Sequence, residues 1–109
     1  MGTALFISIK DKPASLDVEM DGNALARAWE ALNPIAEKLA IPDLDKLCTA
    51  AWKAPVKGLP IFQKYLAYVV EHPDSVPDAA HVIEDLKEIV RLIGEASKLG
   101  TKWRLSLDY

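Results

Sequence analysis

The sequence predicts an α+β protein with a small sheet of about three strands that includes both chain termini, covered on one face by three to four helices. At both ends of the chain, apolar and polar side chains alternate, which is typical of strands with one buried face. Between the ends, apolar residues recur at three- and four-residue spacing, as on helices that pack against a core. The length of 109 residues suits a single domain, 1–109.

The N-terminal part of the chain predicts two strands. Residues 3–9 form a short apolar run in which Leu5, Ile7 and Ile9 would share one face. Residues 16–20 alternate again, and place three acidic side chains on the wet face of a second strand: Asp17, Glu19 and Asp21. The intervening residues, with Pro13 among them, are long enough to close a hairpin.

Helical spacing begins at Ala24 and continues to Leu39, and Pro34 falls inside it. Proline removes a backbone donor and clashes with the preceding turn. We therefore expect a kink near Asn33 and Pro34, or two helices in sequence. Residues 42–47 predict one or two short helical turns, and residues 50–59 are the least regular stretch of the chain.

Two further helices and a strand complete the prediction. The first helix begins at Pro60 and stops before Pro73. The second and longest follows residues 75–78, which resemble a capping box, and ends at Gly100, a residue suited to a left-handed helix end. Residues 101–109 alternate as a closing strand, with its apolar face formed by Trp103, Leu105, Leu107 and Tyr109.

Composition and charge exclude several classes of function. The net charge is −3 and the basic residues are scattered along the sequence, which argues against nucleic-acid binding. No apolar run approaches the roughly 20 residues that cross a bilayer, so we expect no membrane partner. Cys48 is the only cysteine, which excludes an internal disulfide and favours a reducing compartment, the cytoplasm by default.

Each group of residues that suggests chemistry has a simpler structural explanation. The acidic stretch from Asp17 resembles the start of a calcium loop, but its twelfth position, where a bidentate Glu is needed, is Ala28. His81 precedes Glu84 and Asp85 by one helical turn, which more often makes a weak surface pair than a metal site. A single Cys48 between apolar neighbours is typical of a core residue. We therefore assign no catalytic, cofactor-binding or metal-binding residue.

The chain contains three tryptophans. Trp29 and Trp103 lie on apolar faces of their predicted elements and are expected in the core. Trp52 lies in the irregular stretch, among small and apolar residues. A large aromatic residue in such a loop either covers the core or anchors an interface, and both alternatives stay open.

The sequence also resembles a family of small uncharacterised bacterial proteins. The stretches that carry the resemblance are ALFI at residues 4–7, GNALARAWEAL at 22–32, HPDSVPDAAHVIEDL within 58–86, and KWRLSLDY at 102–109. It covers most of the chain except about residues 43–57, where this sequence is shorter and lacks an acidic loop. The resemblance implies a bacterial, cytoplasmic, single-domain protein, and it transfers no catalytic residue.

These observations favour a non-enzymatic protein that binds another protein or itself. The half of the sequence that is hydrophobic is a large share for a small chain, and a homodimer is the simplest way to cover a free sheet edge. The expected interface residues are Trp52, Tyr68 and Tyr109, and a bacterial inhibitor or immunity-type protein is one concrete version. The alternative is a small enzyme or a metabolite- or metal-binding protein, with a site formed by Asp17, Glu19 and Asp21 together with His81 or Arg104.

Overall fold

The fold joins the two ends of the chain in one antiparallel sheet with helices on its inner face. The computed structural model describes residues 4–14, 23–49 and 51–108. Its regular elements are, in chain order, β1 (Ala4–Ile9), α1 (Asn23–Arg27), α2 (Trp29–Leu39), α3 (Leu44–Leu47), α4 (Leu59–Glu71), α5 (Ala79–Leu99) and β2 (Trp103–Asp108). Single 3₁₀ turns occur at Pro55–Lys57 and Pro73–Ser75. No described helix combines the length and the apolar character needed to cross a bilayer.

The pairing of β1 with β2 confirms the predicted alternation at both ends. Ile7 lies opposite Leu105, and Ile9 lies opposite Trp103. Their side chains, with that of Leu5, point into the core and are at most 6% exposed. Because side chains alternate along a strand, Phe6 and Ser8 point to the other face, as the pattern predicts.

The expectation of about three strands is wrong for the described residues, which contain a two-stranded sheet. The only further pairing there is one isolated bridge, in which the backbone of Lys53 exchanges two hydrogen bonds with Trp103 (2.8 and 3.0 Å). The bridge does not extend into a strand, because Pro55 supplies no backbone donor and a 3₁₀ turn begins there. The predicted strand at 16–20 lies outside the described residues.

The first helical run does divide into two helices, but at Ala28 and not at Pro34. Helical hydrogen bonds join the two parts, because the amide of Ala28 donates to the carbonyl of Ala24 and the amide of Leu32 donates to that of Ala28. Pro34 stays inside α2. A residue that is distant in sequence stabilises the N-terminus of α1: the amide of Leu25 donates to a carboxylate oxygen of Asp85 on α5 (3.1 Å).

The two ends of α5 differ in how well the sequence predicts them. Gly100 has φ +68° and its amide donates to the carbonyls of Ala96 and Ser97, as expected for a glycine after a helix. The predicted capping box is wrong: Asp78 adopts a left-handed conformation (φ 53°) and makes no capping hydrogen bond. Ser75 instead donates to the carbonyl of His72 (2.6 Å), which stabilises the preceding turn.

The core lies between the inner face of the sheet and the helices α1, α4 and α5. Its largest fully buried side chains are Trp103, Tyr65, Phe62, Leu5, Leu25, Leu32, Leu86, Ile89, Leu92, Ile93 and Leu105. Trp29 and Cys48 are half-buried and pack against this cluster, so Trp29 is less central than expected. Tyr65 donates its hydroxyl to the carbonyl of Pro42 (3.0 Å), and burial raises the pKa of that hydroxyl.

Trp103 connects the sheet to the irregular stretch before α4. Its indole nitrogen donates to the carbonyl of Ala54 (3.0 Å), and the Phe62 ring lies edge-on to it with centroids 5.9 Å apart. Gly58 lies directly against the indole, because a Cβ atom at this position would come within 2.1 Å of the Trp103 ring. The absence of a side chain at residue 58 therefore allows the core to close.

Replacing Gly58 by alanine should destabilise the protein. The added methyl group overlaps the buried indole, and overpacking of a core typically costs about 1–3 kcal/mol of unfolding free energy. The measurement is urea denaturation followed by tryptophan fluorescence.

Gly94→Ala is the matched control. Nothing lies within 4 Å of a Cβ atom at residue 94, inside α5, so this alanine should stabilise by about 0.5–1 kcal/mol through helix propensity. Equal effects of the two substitutions would contradict the close contact between Gly58 and Trp103.

Candidate protein-binding surface

The outer sheet face consists of the side chains that point away from the core. Phe6 and Ser8 come from β1, and Arg104 and Ser106 from β2, with Phe6 opposite Ser106 and Ser8 opposite Arg104. Phe6 is 41% exposed, and Ser106 is exposed as well. An exposed apolar ring on a sheet face does not contribute to stability as a buried ring does, since burial stabilises by about 25 cal/mol for each Å² of apolar area removed from water.

Trp52 extends this face beyond β2. Lys53 is paired with Trp103 and directs its ammonium over the Trp103 ring, so its side chain lies on the inner side (5.3 Å from the centroid). Alternation then places Trp52 on the outer side, next to Arg104. The Arg104 guanidinium lies 4.4 Å from the centroid of the Trp52 ring, a cation–π arrangement that holds both side chains in place.

The structure therefore brings together three residue types that dominate protein interfaces. Tryptophan and arginine are enriched among the residues that contribute most to binding, and aromatic residues in general are enriched at interfaces. Trp52 was expected either to cover the core or to anchor an interface; it is half-buried and in contact with Arg104. Phe6 was not among the predicted interface residues, although alternation along β1 places its side chain on the other face from those of Leu5 and Ile7.

The fold gathers basic residues that are scattered in the sequence. Four chain segments meet at one end of the molecule: the end of β1, the start of β2, the stretch before α4 and the end of α5. Two hydrogen bonds join the first of these to the residues before β2. The amide of Lys10 donates to the carbonyl of Lys102 (2.9 Å), and the hydroxyl of Thr101 donates to the carbonyl of Lys10 (2.7 Å). We call residues 8–12, 52–58 and 95–106 the basic end, because they contain seven basic residues and only two acidic ones. The basic residues are Lys10, Lys12, Lys53, Lys57, Lys98, Lys102 and Arg104.

Lys53 is the member of this group that is least available to a partner. It is half-buried and its ammonium donates to the Thr49 hydroxyl (2.7 Å) and the Ala51 carbonyl (3.3 Å). Burial lowers the pKa of Lys53, and the neighbouring Cys48 partly opposes that shift. Its role is structural, since it fixes the stretch before α4 against Trp103.

The other predicted interface residues lie elsewhere or beyond the described residues. Tyr68 is half-buried on α4, where the ammonium of Lys38 lies 3.4 Å from its hydroxyl and the His72 ring contacts its ring at a tilt, with centroids 4.5 Å apart. It is not part of the outer sheet face, which β1 and β2 form. Tyr109 lies outside the described residues.

Most residues of the alternative site cannot be placed by the described part of the chain. Asp17, Glu19 and Asp21 lie outside the described residues. His81 lies in the first turn of α5, whereas Arg104 lies on β2, which follows the other end of that helix. Across residues 4–14, 23–49 and 51–108, no three His, Cys, Asp or Glu side chains could jointly hold a metal ion.

His81 pairs with Asp78, not with the predicted Glu84 and Asp85. Its Nδ1 lies 2.7 Å from one carboxylate oxygen of Asp78, and the other oxygen lies 3.4 Å from the guanidinium of Arg27. The hydrogen bond and the charge of Asp78 raise the pKa of His81, and the same hydrogen bond lowers the pKa of Asp78. The pair is exposed, so it links α1 to the start of α5 only weakly.

A polar pocket of about 480 Å³ lies apart from the sheet, between α2 and α3. Its lining includes three carboxylates, those of Glu30, Glu37 and Asp43, and the ammonium of Lys46. The amide oxygen of Asn33, which also lines it, is buried and accepts no hydrogen bond from the described residues. Bound water is the usual partner of such an oxygen.

Comparison of the chain with family models, with curated proteins and with solved structures finds no match. The resemblance to small bacterial proteins therefore stays a prediction. Within the described residues, the outer sheet face and its surroundings combine an exposed aromatic side chain with several basic ones.

Replacing Asp78 by asparagine should return the pKa of His81 towards its ordinary value of about 6.5. In the native pair, the raised pKa of His81 contributes stability that is fully present below that ordinary value and is lost as the pH rises through the shifted value. The lowered pKa of Asp78 contributes stability that is present above its ordinary range and is lost as the pH falls through the shifted value. The pair is therefore favourable between the two shifted values.

Titration of the His81 ring proton by NMR measures this effect. Asp74→Asn, which removes another exposed carboxylate ahead of α5, is the control and should leave the His81 titration unchanged. An identical His81 pKa in the native protein and the Asp78→Asn variant would show that the pair does not form in solution.

Proposed function

We propose that this chain is a non-enzymatic protein-binding protein whose partner covers the outer sheet face. The observation that carries the proposal is the exposure of Phe6 on the same sheet face as Arg104, whose guanidinium lies over the Trp52 ring. A cytoplasmic location belongs to the proposal, because a lone Cys48 suits a reducing compartment. An inhibitor or immunity-type protein is one concrete form of such a role.

Charge favours a different, acidic protein over a second copy of this chain. In a twofold dimer the same patch lies on both sides of the interface. The basic residues around the outer sheet face would then oppose one another, and like charges across an interface are unfavourable. A partner that presents carboxylates to Arg104 and Lys102 would be attracted instead.

The size of the outer sheet face indicates that the partner also contacts its surroundings. Two strands of six residues and the neighbouring stretch at Trp52 span about 20 by 15 Å, or roughly 300 Å². A standard interface covers about 800 Å² on each partner. The contact must therefore continue onto the basic end, the adjoining surface on the Trp52 side.

Phe6→Asp should abolish partner binding without unfolding the protein. The substitution places a carboxylate at the centre of the outer sheet face, and it changes a side chain that is already 41% exposed. Trp52→Ala should weaken binding by about thirtyfold, the effect of losing a residue worth roughly 2 kcal/mol. The native and variant chains are immobilised and used to capture proteins from a lysate of the source cells. A captured protein is then purified, and its dissociation constant is measured with each chain.

Val70→Asp is the matched control, because Val70 is 53% exposed on α4 and lies outside the outer sheet face. A purified partner that binds the native chain and the Val70→Asp variant alike, and the Phe6→Asp variant at least about tenfold more weakly, supports the proposal. A partner that is insensitive to Phe6→Asp overturns it. A dimer in light scattering that Phe6→Asp dissociates assigns the face to a second copy instead.

A further inference from the structure

We infer that a groove at the basic end receives an aliphatic side chain from an acidic segment of the partner protein. The inference rests on the proposed function and specifies the chemistry of the partner. The groove has a volume of about 350 Å³, and we call it the basic groove. Its lining consists of Ala54, Pro55, Val56, Ser97, Gly100, Thr101 and Lys102.

Much of the lining of the basic groove is apolar. Val56 lies in the 3₁₀ turn Pro55–Lys57 and is 75% exposed, the largest exposure among the bulky apolar residues described. A Cβ atom at Gly100 would meet nothing within 4 Å, so the groove is open at this residue. The volume is at the lower end of the roughly 300–1,000 Å³ typical of binding pockets, which suits one or two aliphatic side chains.

Positive charge surrounds the basic groove. Lys102 lines it, Lys57 follows Val56, and the exposed Lys10 is hydrogen-bonded through its backbone to Lys102. In the described part of the chain none of these three lysines forms an ion pair, whereas Lys98 lies 3.4 Å from Glu95. Three lysines without counterions around an apolar groove complement a segment in which carboxylates flank an aliphatic residue.

The end of α5 does not oppose such a segment strongly. The carboxyl end of a helix carries partial negative charge on its last carbonyl groups. Here the carbonyls of Ala96 and Ser97 are occupied, because the amides of Gly100 and Thr101 donate to them. The lysines therefore dominate the electrostatics of the basic groove.

An acidic protein segment fits the basic groove better than a nucleic acid does. Nucleic-acid grooves combine cations with aromatic rings on which bases stack. Ala54, Pro55, Val56 and Gly100 offer no aromatic surface, and the protein as a whole carries a charge of −3. Lys102 lies only two residues before Arg104, so one partner can contact the outer sheet face and the basic groove together.

The test uses fluorescence anisotropy with the full chain and a fluorescein-labelled peptide in which leucine alternates with glutamate. Val56→Asp should weaken binding at least about tenfold, and Lys102→Glu about fivefold. Val70→Asp and Lys64→Glu, two exposed positions on α4, are the matched controls and should leave affinity unchanged. Raising the salt concentration should weaken binding, because the lysines are exposed.

Three companion probes show which chemistry is recognised. A peptide with alanine in place of leucine, a peptide with lysine in place of glutamate, and a single-stranded oligonucleotide should all bind at least about tenfold more weakly. Equal binding of any of them overturns the inference, as does native affinity of both the Val56→Asp and the Lys102→Glu variants. Absence of peptide binding at millimolar concentration overturns it as well.

The purified partner separates this inference from the proposed function. A partner that is sensitive to Phe6→Asp but insensitive to both Val56→Asp and Lys102→Glu overturns the basic groove and leaves the outer sheet face as the binding surface. A partner that is insensitive to all three substitutions overturns both. Circular dichroism of each variant establishes that the lost binding does not reflect unfolding.

Discussion

The burial of Trp103 is the constraint on which the rest of this structure depends. Its indole ring system contacts Gly58 and lies nearly perpendicular to the Phe62 ring, and its nitrogen donates to the carbonyl of Ala54. Its backbone is paired with Ile9 on one side and with Lys53 on the other. A single residue thereby fixes the sheet, the stretch before α4 and the start of α4 relative to one another.

The candidate surface follows from the same constraint. Because the side chain of Trp103 points inward, the next residue, Arg104, must point outward. The bridge to Lys53 likewise directs Trp52 outward, and the two side chains meet in the cation–π contact. Placement of the 3₁₀ turn and its exposed Val56 depends on the hydrogen bond from the indole nitrogen to Ala54. The function proposed for the surface thus rests on a core residue that no partner touches.

Local patterns were sufficient to predict much of the fold. Alternation at 3–9 and 101–109 correctly identified β1 and β2 and their buried faces, since one-sided burial imposes a period of two. Helical spacing identified α4 and α5, and Gly100 marked the end of α5. The predictions failed at two local signals. Ala28 interrupts the first helical run although Pro34 is the stronger local signal, and the capping-box pattern at 75–78 forms no cap.

The site was less predictable than the fold because it is assembled from separate stretches. Trp52 could be singled out as an unusual residue, but its contact with Arg104 could not be seen in the sequence. The basic residues look scattered along the chain, and only the meeting of four chain segments turns them into one positively charged region. Alternation alone puts Phe6 on the outer side of β1, yet nothing local indicates that its side chain remains 41% exposed there.

The pairing of β1 with β2 also has a consequence for how the protein is made. The two strands are separated by almost the whole of the described chain, so the sheet cannot form on the ribosome until β2 has been synthesised. Contacts between residues so far apart in sequence raise the entropic cost of closing the chain and slow folding. During synthesis β1 is therefore a short apolar segment whose partner strand β2 is the last of the described elements to be made.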